Sequence, residues 1–181
     1  MDLRTVKELA KLKAQVGPLQ RQSAELLNAA VDQAKKTAIA QFKSHFTAGG
    51  FTVVGEAKRY AASYEGLQFF LEITETHGTA SFCEFSLVPP ALLCEPRVSV
   101  QMIQKRPPSA DRPVMTREAN PLHDVERELA EVRTMLSSSA PEFSFAVLEE
   151  ENVDAPVVSV IRGDQPVFNS FGDFLASVYP Q

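Results

Sequence analysis

The chain has few of the residues that build covalent or metal-held scaffolds. Two cysteines, Cys83 and Cys94, are too few for a disulfide framework, and their spacing of eleven matches no metal knuckle, so both are expected as buried thiols. The longest apolar runs are a few residues, far short of the ~20 needed to span a bilayer, and no membrane association is expected. Residues 1–16 alternate charge with single apolar side chains and lack the continuous apolar core of a signal peptide, so the expected location is cytoplasmic. No Gly-x-Ser-x-Gly elbow, no Gly-rich phosphate loop ahead of a helix, no Cys-x-x-Cys and no internal repeat occurs. Without an assembled catalytic set, a non-enzyme with no cofactor is the expectation.

Of the residues present, 44% are hydrophobic and 23% charged, the balance of a folded globular protein. The net charge of −5 hides an asymmetry: residues 1–47 carry eight Lys or Arg against four Asp or Glu, a net +4, which leaves −9 for the remainder. A basic segment joined to an acidic body can steer toward nucleic acid, an acidic partner or a second copy.

The stretch from Leu19 to Thr47 reads as one long helix closed by Gly49-Gly50, and the residues before it read as its extension. Apolar positions at Leu9, Leu12, Val16, Leu19, Leu26 and Ala30 form a heptad seam with Ser23 in one slot. Gly17-Pro18 interrupts the seam. An interior proline removes a hydrogen bond and clashes with the preceding turn, costing about 3 kcal/mol, so a break or kink is expected there. A second stripe of Leu27, Val31, Ala34, Ala38, Phe42 and Phe46 follows the 3.6-residue period and ends in aromatics suited to a sheet.

Alternation then predicts strands over 51–57, 67–74, 81–88 and 97–105, with a turn at Thr76–Thr79, while 59–64 fits either strand or turn. Residues 105–118 hold three prolines and read as an exposed, mobile loop. Asn120-Pro121 opens a helix with Leu122, Val125, Leu129, Val132 and Leu136 on one face. Strands are expected at 143–148 and 157–161, and Ser170 caps a short helix reaching Tyr179. This order predicts an α+β fold: a long N-terminal helix, an antiparallel sheet of five or six strands, and mid-chain and C-terminal helices packed on it. The expected division is a helical arm, 1–18, and a single domain, 19–181.

Three constellations bear on chemistry. Glu56-Ala57-Lys58 has the Glu-x-Lys spacing of metal-dependent nucleases, in which the carboxylate holds Mg²⁺ and the lysine positions water. Such sites need a second acidic ligand from a neighbouring strand, and here a helix precedes; the bland alternative is a charged strand end. The histidines, His45, His77 and His123, fall at a helix end, a hairpin tip and a helix first turn. His123 with Asp124 and Glu126 shares one helical turn, but acidic residues also suit a helix N-terminus, and no metal site is expected. Lys35, Lys36, Lys43, Lys58 and Arg59, beside Phe51 and Tyr60, are candidate nucleic-acid contacts, against which stands a pI near 5.3.

The leading expectation is an interaction or adaptor protein that self-associates or docks into a larger assembly through its basic arm. Its candidate interface residues are Leu3, Val6, Leu9, Leu12, Val16 and Leu19. The alternative is a nucleic-acid-binding protein, with Glu56 and Lys58 serving a metal-dependent nuclease.

Overall fold

The structure, a computed structural model, describes residues 3–76, 81–105, 121–137, 140–148 and 166–180. The chain divides into two compact units, 1–32 with 106–141 and 33–105 with 142–181. One helix, α1 (Leu3–Ala48), contributes to both.

In the first unit, the early part of α1 lies against α2 (Pro121–Ser137). Leu9, Leu12 and Leu19 pack around buried Val16, Val125 and Leu129, so the seam meets the stripe predicted for the mid-chain helix. Gln20 Nε2 donates to Glu128 Oε1 at 2.6 Å and Arg133 Nη2 to Gln15 Oε1 at 3.4 Å. Rising numbers on α1 meet falling numbers on α2, so the helices run antiparallel. Val125 and Leu129 of α2 are thus covered from α1.

Pro18 sits inside α1, and the helix assignment runs through Gly17-Pro18 without a break. Pro18 cannot donate to the carbonyl of Ala14, but Val16 and Leu19 on either side are fixed by α2, and that packing offsets the lost bond. Pro18→Ala is therefore expected to stabilise the protein. A gain of up to about 3 kcal/mol, the interior-proline penalty, is expected. Thermal unfolding followed by circular dichroism measures it.

Among the described residues of the second unit, seven antiparallel strands form a meander whose order is the sequence order. They are β1 (Thr52–Glu56), β2 (Arg59–Tyr64), β3 (Leu67–Glu75), β4 (Ser81–Val88), β5 (Val98–Gln104), β6 (Phe143–Leu148) and β7 (Val167–Phe168). The segment that fitted either strand or turn is β2, closed onto β3 by Glu65-Gly66. Both residues have positive φ, the conformation of a tight hairpin. A 3₁₀ turn at Ala91–Leu93 follows Pro89-Pro90. The strand expected at 157–161, most of the 105–118 loop, the tip of the turn after Thr76 and the cap at Asn120 lie outside the described residues.

One face of the sheet carries the core. Tyr60, Ala62, Phe69, Leu71, Ile73, Cys83, Phe85, Leu87, Val100, Met102 and Phe145 are buried there. Phe42 and Phe46 of α1 meet this face, with Phe46 5.0 Å from Phe69 between ring centroids. The last helix, α3 (Phe171–Val178), starts at Ser170, whose hydroxyl accepts from the Asp173 N–H. It brings Phe171 to 5.0 Å from Phe85. The Gly172 N–H donates to Gln41 Oε1 at 3.0 Å, tying α3 to α1.

The opposite face is mixed: buried Ser86, Ser99, Gln101, Ser144 and Ala146 share it with Glu72 and with Val54, Ala61 and Phe70. Ser86 Oγ donates to Glu84 Oε1 at 3.0 Å and stands 2.7 Å from Ser99 Oγ, so the Ser99 hydroxyl is the donor in that second bond. Glu72 receives both Arg59 at 3.7 Å and Arg97 at 3.3 Å.

Candidate functional site

The six apolar arm residues do not share one face. At about 100° per residue, Leu9, Leu12, Val16 and Leu19 fall within an arc of roughly 80°, the arc turned to α2. Val6 lies roughly 100° and Leu3 roughly 160° round from its centre, and they are 46% and 80% exposed. Gln15 stands level with Arg133, which places Ser137, the end of α2, level with Lys11. Leu3 thus extends about 12 Å past the end of α2. The charged residues in the sequence up to Lys11 are Asp2, Arg4, Lys7, Glu8 and Lys11, a net positive set.

The basic residues on the second unit are largely engaged by their own chain. Lys35 pairs with Glu75 at 3.6 Å, and the Lys43 ammonium lies 5.0 Å from the centre of the Tyr60 ring. Arg59 pairs with Glu72 and stacks 4.4 Å from the centre of Phe70. Lys36 and Lys58 are exposed, Lys58 in the two-residue turn between β1 and β2. The cations are distributed among acidic and aromatic partners, where phosphate binding needs a concentrated field.

Glu56 ends β1 directly opposite Arg59, and Lys58 belongs to the turn. Among the described residues no three His, Cys, Asp or Glu side chains converge on a point. His123 Nδ1 lies 3.5 Å from Glu126 within one turn of α2, and His45 packs edge-on against Phe46. His77 lies outside the described residues.

The cysteines differ. Cys83 is buried in the sheet core, as expected, and desolvation there pushes its thiol up to about 12. Cys94 is exposed, which corrects its assignment as a buried thiol. Pro89-Pro90 follows β4, and Cys94 ends the next 3₁₀ turn in the left-handed region at φ 52°. One thiol per chain should react with a small aromatic disulfide in the native protein, and two after denaturation; Cys94→Ser should remove the native reaction.

Desolvation, followed by a hydrogen bond to Glu95, raises the Tyr179 phenol to about 12. Both Cys83 and Tyr179 hold protons more tightly folded than unfolded. Above their ordinary values of 9.0 and 10.0 the unfolded chain releases protons that the native state keeps. Stability should therefore fall as pH rises from about 9 to 12. Cys83→Ala should flatten the first part of that decline in urea melts taken across the range.

The sequence gives no hint of a shallow hollow of about 490 Å³ beside β1, lined by Val54, Gly55, Glu56, Arg59, Ala61 and Phe70. Val54, Ala61 and Phe70 align across three strands, and the small Ala61 between two larger side chains makes the dip. Only the strand register reveals this juxtaposition. The chemistry available there is apolar contact with a charged rim at Glu56 and Arg59. No described helix is long and apolar enough to cross a membrane. No family model, curated protein or solved structure matches this chain.

Proposed function

We propose that the protein is a non-enzymatic interaction protein that docks into a larger assembly through the tip of its basic helical arm. The observation that carries this is the overhang of α1 past α2, where Leu3 and Val6 are exposed, off the seam and set among mostly basic side chains. Moving Leu3 from water into a partner groove contributes about 1.5–3 kcal/mol, the half-exposed Val6 adds a smaller gain, and a net-acidic partner rim complements the lysines.

The test leaves the seam intact, because shortening the arm through Val16 would also remove the partners of Val125 and Leu129. The double variant Leu3→Glu with Val6→Glu keeps the α1–α2 contacts, which unchanged helicity and melting confirm. Its assembly mass and defined co-purifying subunits are compared with those of the wild type. Loss of a stoichiometric subunit in the variant supports the proposal, and identical mass and identical subunits rule it out.

A further inference from the structure

We propose that β1 is a self-association edge at which two copies of the chain pair antiparallel through Thr52–Glu56 about a two-fold axis at Val54. This surface is separate from the arm tip and does not depend on it.

Within the described sheet β1 pairs with β2 alone, so one side of its backbone has no ladder partner there. The phase of the ladder identifies which groups those are. Ile73 N–H donates to the Lys58 carbonyl at 2.8 Å, so Lys58 and, by alternation, Tyr60, Ala62 and Tyr64 direct their backbone groups to β3. Arg59, Ala61 and Ser63 then direct theirs to β1, where they stand opposite Glu56, Val54 and Thr52. Val53 and Gly55 are left with an N–H and a C=O each pointing outward. Of the devices that blunt an edge, Thr-Val-Val-Gly-Glu has neither lysine nor proline, and its single charge, Glu56, stands at the strand end.

The occupant is a second copy because this segment complements itself. With Val54 opposite Val54, each Val53 faces a Gly55 and each Thr52 faces a Glu56. The outward groups of Val53 and Gly55 then make four hydrogen bonds across the axis. Gly55 has no side chain, and the β-branched Val53 of the second copy covers the bare backbone. Glu56, which has Arg59 opposite it on β2, gains a hydroxyl from Thr52 on its other side. The two Glu56 carboxylates stand about 13 Å apart along the strands, beyond a Debye length at physiological salt.

Val54 is 59% exposed, and at the axis it forms a non-hydrogen-bonded pair, the kind in which opposed side chains approach most closely. The two hollows merge, and Phe70, Ala61 and Val54 from each copy line up as one apolar strip across the joined sheets. An unrelated strand would fill only one hollow.

Sedimentation equilibrium of the full chain is the test. The wild type is expected to associate toward twice its 19.9 kDa mass. Val54→Lys, which sets two ammonium groups face to face, and Val53→Pro, which deletes an outward N–H without touching the β2 ladder, should each weaken association about tenfold or more. Thr52→Lys places a cation opposite Glu56 and should strengthen it. The Leu3→Glu, Val6→Glu variant should leave it unchanged, which separates this edge from the arm. In a Cys94→Ser background, Val54→Cys should form an intermolecular disulfide on mild oxidation. A wild type that stays monomeric at roughly 0.1 mM chain overturns the proposal. So does association indifferent to both Val53→Pro and Val54→Lys, or Val54→Cys that fails to cross-link.

Discussion

Phe171→Ala is expected to cost the protein about 3–5 kcal/mol, the usual range for emptying a fully buried aromatic site. Phe171 is fully buried, with Phe85, Phe174 and Phe145 at 5.0, 5.5 and 5.7 Å between ring centroids. It is the residue through which α3 is seated on β4 and β6. An eight-residue helix has little stability of its own in water, so its order depends on that seat. The surrounding aromatics are stiff and already in contact with one another, which limits how far the site can collapse. Against a total of about 5–15 kcal/mol for a typical domain, the loss is a large fraction. Urea unfolding should show a lower midpoint, with the slope preserved if only stability has changed. Phe171→Leu, which keeps most of the volume, should cost under about 1.5 kcal/mol; equal losses for the two variants would mean that cavity formation is not the cause.

Gly55→Ala is expected to be the most damaging change at the sheet edge. Gly55 has a φ of +135°, and a Cβ there would stand 2.4 Å from the Arg59 carbonyl oxygen and 2.6 Å from the Tyr60 Cα. Both obstacles are backbone, so no side-chain rotation relieves the clash and the β1–β2 pairing must open. Strain of this kind costs about 1–3 kcal/mol before the clash is counted. The global loss is capped by the free energy of peeling β1 away, because an edge strand can detach while β2 to β7 remain paired. Hydrogen exchange should therefore show faster amides over 52–56 and at the facing positions of β2, with β4 and β5 unchanged; unaltered protection in β1 would refute the clash. Ala57→Gly, two residues on, should act in the opposite direction. Ala57 sits at φ 53°, in the left-handed region, and relieving it should gain about 1 kcal/mol.

The hollow beside β1 and the exposure of Val54 follow from the register of three strands, which no local pattern in the chain specifies. The six apolar arm residues are legible in the sequence only as an undivided set. Heptad spacing groups Leu9, Leu12, Val16 and Leu19, but the place where that seam finds its partner, more than a hundred residues away at Val125 and Leu129, depends on tertiary packing. Cys94 is exposed at the end of a 3₁₀ turn that its own residue pattern does not announce.

The α+β class, the two long amphipathic helices, the Ser170 cap and the strands with clear alternation are written locally in the chain. Each of these is a local matter of side-chain period, capping chemistry or turn residues, settled within a few residues of the position concerned. Tertiary structure decided the rest. It kept α1 continuous through Pro18, because packing on α2 outweighs one lost hydrogen bond. It made 59–64 a strand, because pairing on both sides supplies what propensity left open. It also left Leu3, Val6 and the edge of β1 facing solvent, since exposure is set by what the remainder of the chain covers and not by the residues themselves.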